Sequence, residues 1–299
     1  MIAMVAVDFD QLTEALAAGT ALSGTQLRAL AHSRDLIGLG MLAADVRTRL
    51  HGGRGTFVRI ETIDVTGRPE DAAVEVPAEA GEVRFTGTPV SLEAAVAAVR
   101  AVRATTAVPL SGWALDALVH WGGSLAATLG ALRAAGLDAV ATARLDRLDL
   151  EQLRAVADAG LVLQTVTVGL PSDDDVLLDQ LEQLRAWQAA TGVVRACAPL
   201  PVEVSAEQPT TGYDDMRHVA LARLVLDNVT HVQAHWTRMG AKLSQSCLLF
   251  GANDIDAVPA RDAMPHGPRR AILEEVRRNL QAASLDVVER DGAFAERRA

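Results

Sequence analysis

Sulfur and aromatic rings are scarce in this chain, and each shortage excludes something. Among its 299 residues are two cysteines, one tyrosine, five phenylalanines and four tryptophans. Cys197 and Cys247 are too far apart for a zinc motif, and two thiols make no disulfide framework. Both fall in segments predicted as strands, where they read as buried structural thiols. With 49% hydrophobic residues and 3% aromatics, the core is expected to be built from Ala, Val and Leu.

Positive charge is short as well, with 28 Lys and Arg against 38 Asp and Glu and a net charge of −10. Binding a nucleic-acid backbone needs clustered cations that release counterions. The arginines here are dispersed, and Arg28, Arg34, Arg47 and Arg49 read as solvated helix faces. Neither nucleic acid nor an anionic membrane surface is therefore expected as a partner. The N-terminal MIAMVAVDFDQL lacks a basic leader region, and no uncharged apolar run is long enough to span a bilayer, so a cytoplasmic protein is expected. Phosphate loops of P-loop or Rossmann spacing, HExxH and a nucleophile-elbow serine are all missing.

What is present is a repeated switch between strand and helix periods, the pattern of a (β/α)8 TIM-type barrel. Helices are predicted from Asp8 or Asp10 to Ala18, from Ser23 or Thr25 onward, and over 33–50. Strands are predicted at 56–63, 83–85, 108–110, 139–142, 162–168, 193–198, 231–234 and 246–250. Between them lie helices at 92–102, 113–120, 124–135, 150–159 and 173–190, one from Asp214 or Asp215 to Asn228, and one at 239–245. A helix at 269–282 and a strand at 285–288 make a C-terminal extension, the strand lying against the outside of the barrel or its base. The whole is expected to be one domain, with N-terminal helices at 1–54, a barrel at 55–256 and the extension at 257–299. Asp173, Asp174 and Asp175 can be read as a metal site or as a helix cap, and the favourable position of carboxylates at a helix N-terminus supports the cap. His120, His218 and His231 have no second ligand at metal spacing.

The segment LARLVLDNVTHVQAHW, the Gly-x-Lys-Leu-Ser-Gln of 240–245 and FGANDID closely resemble the C-terminal half of one family. That family is the radical S-adenosylmethionine enzymes of the futalosine route to menaquinone, the aminofutalosine synthase and cyclic dehypoxanthinylfutalosine synthase group. Synthases of the deazaflavin cofactor precursor are more distant relatives. The likeness continues upstream through DLIGLGMLAADVRTRLHGGR at 35–54, VRFTGTP at 83–89 and AAGLDAVATA at 134–143. It implies the barrel, with the N-terminal helices against its base.

The departures bear on chemistry. The family carries a Cys-x3-Cys-x2-Cys loop after the first barrel strand, where three thiolates hold a [4Fe–4S] cluster. The corresponding stretch here, 63–76, reads IDVTGRPEDAAVEV and has no sulfur ligand. A [4Fe–4S] cluster of the family type is not expected, and no other cofactor is. The glycine-rich loops that approach S-adenosylmethionine are also reduced. Gly87 matches the first, but its second glycine and acidic residue are missing, and the loop after 139–142 reads Ala-Thr-Ala-Arg-Leu-Asp. Binding of S-adenosylmethionine is left doubtful.

Barrel ligands bind where strands end at the C-terminal face. The strand assignments bring Thr86, Thr88, Ser111, Thr142, Thr167 and Asn253 there as candidate ligand contacts, and the family resemblance implies Gly87 and Trp236 beside them. His235 with Asp254 is the candidate acid–base pair. A Thr-Gly-Thr helix-capping turn and an architectural Gly251–Asp254 turn are the plainer readings of the same residues. Two functions follow. One is a cluster-free relative with a mouth pocket for a nucleoside-like or quinone-precursor small molecule and non-radical chemistry. The other is a catalytically silent pseudoenzyme that partners a radical S-adenosylmethionine paralogue; a homodimer is left open.

Overall fold

The computed structural model describes residues 7–67, 74–121, 123–169, 173–200, 212–261 and 271–297. Nine parallel strands form one sheet: β1 (Arg54–Asp64), β2 (Glu82–Thr86), β3 (Leu110–Ala114), β4 (Ala139–Arg144), β5 (Val162–Val168), β6 (Val194–Pro199), β7 (His231–His235), β8 (Asp254–Pro259) and β9 (Asp286–Arg290). Each of β2 to β7 pairs with the next in sequence, and β1 pairs with both β8 and β2, so eight strands close into a barrel. Closure needs a long first strand. Residues 60–64 of β1 pair with β2, while 54–58, on the same edge, pair with β9. The C-terminal strand is thus hydrogen-bonded into the sheet at the barrel's foot, a closer attachment than packing against its outside.

Between β1 and β8 the register slips. Phe57 faces Ile255 and Arg59 faces Val258, so β8 spends one extra residue, and Ala257 takes φ 61°. A bulge of this kind re-aims the neighbouring side chain and holds a non-glycine residue in a costly backbone region. The neighbour is Asp256.

The helices are α1 (Phe9–Ala17), α2 (Gly24–Ala31), α3 (Leu36–His51), α4 (Leu92–Arg103), α5 (Leu115–Leu118), α6 (Leu125–Ala135), α7 (Leu150–Asp158), α8 (Asp174–Thr191), α9 (Tyr213–Val225), α10 (Trp236–Leu249) and α11 (Ile272–Ala282). Asp173 caps α8 through the Asp175 amide, so the acidic run does the work of a helix start. The N-terminal helices do not sit under the barrel as the family resemblance implies. Leu39, Leu42 and Val46 of α3 are buried, and α3 packs chiefly against α9, reaching the barrel's foot through His51, whose Nε2 lies 2.9 Å from Thr230 O. Roofed by α3 and floored by the barrel, α9 is buried on every side, with Val219, Ala220, Leu221, Ala222 and even Arg223 at 0% exposure. Arg47, expected on a solvated face, is buried as well, because it reaches across to the carbonyl of Leu248. Among the described residues, no helix is long and apolar enough to cross a membrane.

One strand assignment fails. Residues 246–249 are the end of α10 and Phe250 is its C-cap; the buried side of the helix carries Ser244, Cys247 and Leu248. A five-residue apolar run suits either a covered strand or one face of a helix, and periodicity cannot choose between them. The eighth strand instead follows the Gly251 turn, so the barrel extends to Pro259. Residues 251–253 enter a strand where they were expected to leave one.

Candidate functional site

Barrel interiors are usually filled by branched aliphatic side chains. Here ionic groups fill much of the space. Arg84 on β2 donates Nη1 and Nη2 to the two oxygens of Asp256 on β8 at 2.9 and 3.0 Å, and its Nε donates to Glu82 at 2.9 Å. Ser111 on β3 also donates to Glu82. Lower down, Arg290 donates to both oxygens of Asp254 at 2.7 Å. Asp254 accepts as well from Gln233, at 2.8 Å, and from Thr56, and Gln233 accepts from Thr165 at 2.8 Å. Burial opposes the charge on Arg84, yet the carboxylates of Asp256 and Glu82 outweigh it and hold the guanidinium above its usual pKa. Burial likewise pushes Asp256 and Asp254 upward, and Arg84 and Arg290 respectively bring them below the carboxylate range. Each fork-to-carboxylate pair stays ionised in a water-poor interior.

At the C-terminal ends of the strands, His235 closes β7 and stands in register with Asp256. Burial lowers the imidazole pKa, while Asp256 partly opposes the shift. Thr237 Oγ1 lies 3.2 Å from its Nδ1. Trp236 follows, 7% exposed. Thr86 ends β2, Thr167 is the last residue but one of β5, Thr142 lies two residues before the end of β4, and Thr88 stands in the loop after β2. These are the expected ligand contacts that the fold does bring to one face. Thr167 Oγ1 is turned to the Ala143 carbonyl at 3.3 Å.

Three others lie elsewhere. Ser111 is inside β3, at 0% exposure and bonded to Glu82, because the strand runs to Ala114. Asn253 and Asp254 lie at the opposite end of the barrel, where β8 begins. Asn253 Oδ1 accepts from Val232 N at 3.0 Å and from Arg223 Nη2 at 2.6 Å, and its Nδ2 lies 2.8 Å from His231 Nδ1. Asp254 pairs in register with Gln233, so His235 and Asp254 do not meet. The missed partner is Asp256, and with it Arg84, Glu82 and Arg290. Their only signal was a charge at alternate positions of short strands, as in Glu82-Val83-Arg84.

The top of β1 is held by a clasp. Asp64 Oδ1 accepts from Thr66 N at 2.8 Å, Thr66 Oγ1 accepts from Thr88 N at 3.0 Å, and Val65 N donates to Thr86 O at 3.0 Å. The Thr66 amide, then its hydroxyl, hold the Asp64 carboxyl below its ordinary pKa. Gly87 sits at φ 80°, and a Cβ there would fall 2.0 Å from Asp64 Oδ1, so only glycine closes the clasp.

A three-thiolate cluster does not suit the residues present. Cys197 on β6 and Cys247 on α10 are both at 0% exposure, on separate elements, and burial pushes both thiols up to about 12. Among the described residues no group of His, Cys, Asp and Glu is arranged to hold a metal ion. His218, one of the lone histidines, lies 3.2 Å from Asp174 at the start of α8.

Residues 202–264 match the family described as the CofH/MqnC C-terminal region. Among curated proteins, the chain is similar to aminodeoxyfutalosine synthase of Thermus thermophilus, 28% identical over 200 residues, 56% of this chain and 54% of that protein. It is similar to cyclic dehypoxanthine futalosine synthase of Streptomyces coelicolor, 27% identical over 150 residues, covering 42% and 38% of the two chains. It also resembles FO synthase of Mycobacterium tuberculosis, 28% identical over 180 residues, covering 48% and 21%. The matched part thus spans about half or less of these relatives. Among solved structures, methylornithine synthase (PylB) superposes with a TM-score of 0.67 at 16% identity, over 92% of this chain and 97% of that one. The hydrogenase maturase HydG from Carboxydothermus hydrogenoformans gives 0.63 at 11% identity, over 94% and 79%. The two structures share the barrel fold, and the sequence relatives place the resemblance with radical S-adenosylmethionine enzymes of menaquinone and related cofactor biosynthesis.

Proposed function

We propose that this chain is a cluster-free relative of the futalosine-route enzymes that binds a nucleoside-like or quinone-precursor molecule at the barrel mouth and acts on it, if at all, by non-radical acid–base chemistry. The observation that carries the reading is His235 beside Asp256. A mostly buried imidazole with a lowered pKa is neutral at pH 7, and it can accept or relay a proton next to a carboxylate held rigid by Arg84. Thr86 at the end of β2, Thr142 in the last half of β4 and the Trp236 ring supply hydroxyls and an aromatic surface toward the same opening. With no thiolate at the top of β1, reductive cleavage of S-adenosylmethionine has no electron source in this chain.

Ligand titration tests this directly. Aminodeoxyfutalosine, dehypoxanthine futalosine and adenosine are added separately while the thermal midpoint is followed. A saturable rise for one of them in the native protein, lost in His235→Ala, is the expected result. Identical midpoints with and without all three would remove the mouth as a ligand site.

A second reading draws on Ile37 and Met41, one turn apart on α3 and 72% and 64% exposed, with Leu249 of α10 at 47%. Exposed large apolar side chains on one helix favour a protein partner. In this reading the chain is a silent pseudoenzyme that stabilises a cysteine-bearing paralogue. Co-expression with such a paralogue should yield a stable complex from the native chain and none from Ile37→Asp/Met41→Asp.

A further inference from the structure

An acidic protein has gathered arginines at one point on the side of its barrel remote from the mouth. Arg49 of α3, Arg185 of α8 and Arg223 of α9 line a cavity of about 50 Å³ beside the α1–α2 connection. The cavity's one carboxylate, Asp227, is already held by Arg185 through two bonds of 2.7 and 2.8 Å. Arg49 donates to the Leu16 carbonyl, and the neighbouring Asp45 faces the adjoining groove.

Arg223 is the unusual member. It is fully buried, and it donates to the carbonyls of Gly251 and Thr230 and to the Asn253 amide oxygen, with no carboxylate partner among the described residues. Burial lowers its pKa to about 9, and Arg47 adds to the shift. Arg47 is itself buried, bonded to the Leu248 carbonyl, and its Nε has no partner. Once Arg185 and Asp227 cancel, Arg49 and Arg223 leave two positive charges at the cavity with no ion pair among the described residues, and Arg47, outside the lining, adds a third near Arg223. Carbonyl dipoles satisfy the geometry of a buried guanidinium but do not neutralise it.

We infer that this cavity is a binding site for a small oxyanion of phosphate or sulfate size. The volume agrees, because a buried water needs roughly 10–15 Å³ by the same kind of measure, so the space takes a few waters or one tetrahedral ion. The ion would be bound at the rim by Arg49 and attracted from below by Arg223 and Arg47. Nothing at the mouth takes part, so the site stands whether or not His235 does chemistry.

The full chain is titrated with inorganic phosphate, and with sodium chloride at matched ionic strength, while the thermal midpoint is read. Phosphate should give a saturable rise of about 2–6 °C in the millimolar range that chloride does not reproduce. Arg49→Gln, an exposed position, should weaken phosphate at least tenfold with the circular dichroism spectrum unchanged. Asp227→Asn releases Arg185 and should tighten phosphate, a gain that a purely structural cluster would not give. Glycerol 3-phosphate separates the sources: a rise equal to that of phosphate identifies a phosphoryl group on a larger molecule, and no rise identifies the free ion. Equal responses to phosphate and chloride in the native chain, or unchanged phosphate affinity in both variants, overturn the inference.

Discussion

Arg84 grips Asp256 across the barrel interior with two near-parallel bonds of 2.9 and 3.0 Å, joining β2 to β8 over the intervening β1. The same guanidinium holds Glu82 at 2.9 Å. Removing it leaves two carboxylates in a site that water does not reach.

Arg84→Met should therefore destabilise the protein by about 3–5 kcal/mol, the usual cost of orphaning a buried charge. Asp256→Asn, which keeps shape and some hydrogen bonding, should cost less. Adding Asp256→Leu to Arg84→Met should restore part of the loss, since a buried pair replaced whole by apolar groups is often tolerated. Urea unfolding midpoints of the three variants check the order. A single Arg84→Met as stable as the native chain would mean that the pair is open to solvent.

The barrel was legible because strand and helix periods alternate along most of the chain; six of its strands lie where that alternation puts them, and β3 lies further along, at Leu110–Ala114 instead of 108–110. The eighth was not, since Ser246–Phe250 has no period long enough to distinguish a strand from the buried face of α10. The site inherits that ambiguity. Starting the strand at Asp254 instead of ending one before Gly251 moves the carboxylate beside His235 from Asp254 to Asp256. Arg84 escaped notice because in a five-residue strand the pattern does not say which alternate side chains point inward. Arg47 and Arg223 sit in helical patterns that look solvated, and only the packing of α3 on α9 buries them.

Acid should loosen the foot of the barrel before its carboxylates protonate. His51 and His231 stack there with ring centroids 5.5 Å apart, Phe294 covers His231 at 4.5 Å, and the Arg290 guanidinium lies over Phe294. Burial lowers both histidines from 6.5 to about 4, with Arg223 adding to the shift of His51 and Asp254 opposing that of His231. Between those values the unfolded chain binds more protons than the folded one, so stability rises with pH and is lost as pH falls from 6.5 toward 4. The loss by pH 4 should be on the order of 2–5 kcal/mol for the pair. Urea midpoints at pH 7, 5.5 and 4.5 should fall progressively, and His51→Gln/His231→Gln should flatten that slope. Asp254 and Asp256, held below the carboxylate range, contribute only at more acidic pH.

The two thiols should be silent in the native state. Cys197 and Cys247 are fully buried, with pKa values near 12, and thiolate is the reactive species. A thiol-specific chromogenic disulfide at pH 8 should label neither until denaturant is added, after which both react. Rapid labelling of either in native buffer would place it at an opening that the packing of β6 and α10 does not provide.

The clasp over β1 gives the sharpest local test. Gly87 at φ 80° costs little as glycine, whereas an alanine there must carry a left-handed backbone, worth about 1–3 kcal/mol, and put its Cβ 2.0 Å from Asp64 Oδ1. Gly87→Ala should therefore be destabilising beyond the backbone term, because the Asp64 carboxylate has to leave the Thr66 amide. Asp64→Ala removes the nearer obstruction, leaving the backbone strain and the Thr66 hydroxyl 2.4 Å from that Cβ. The double variant should then lie closer to the native chain than the sum of the two singles, the sign of a shared contact. Strict additivity would mean that the two loops are not in contact in solution, and the geometry that closes the top of β1 against the β2 turn would have to be abandoned.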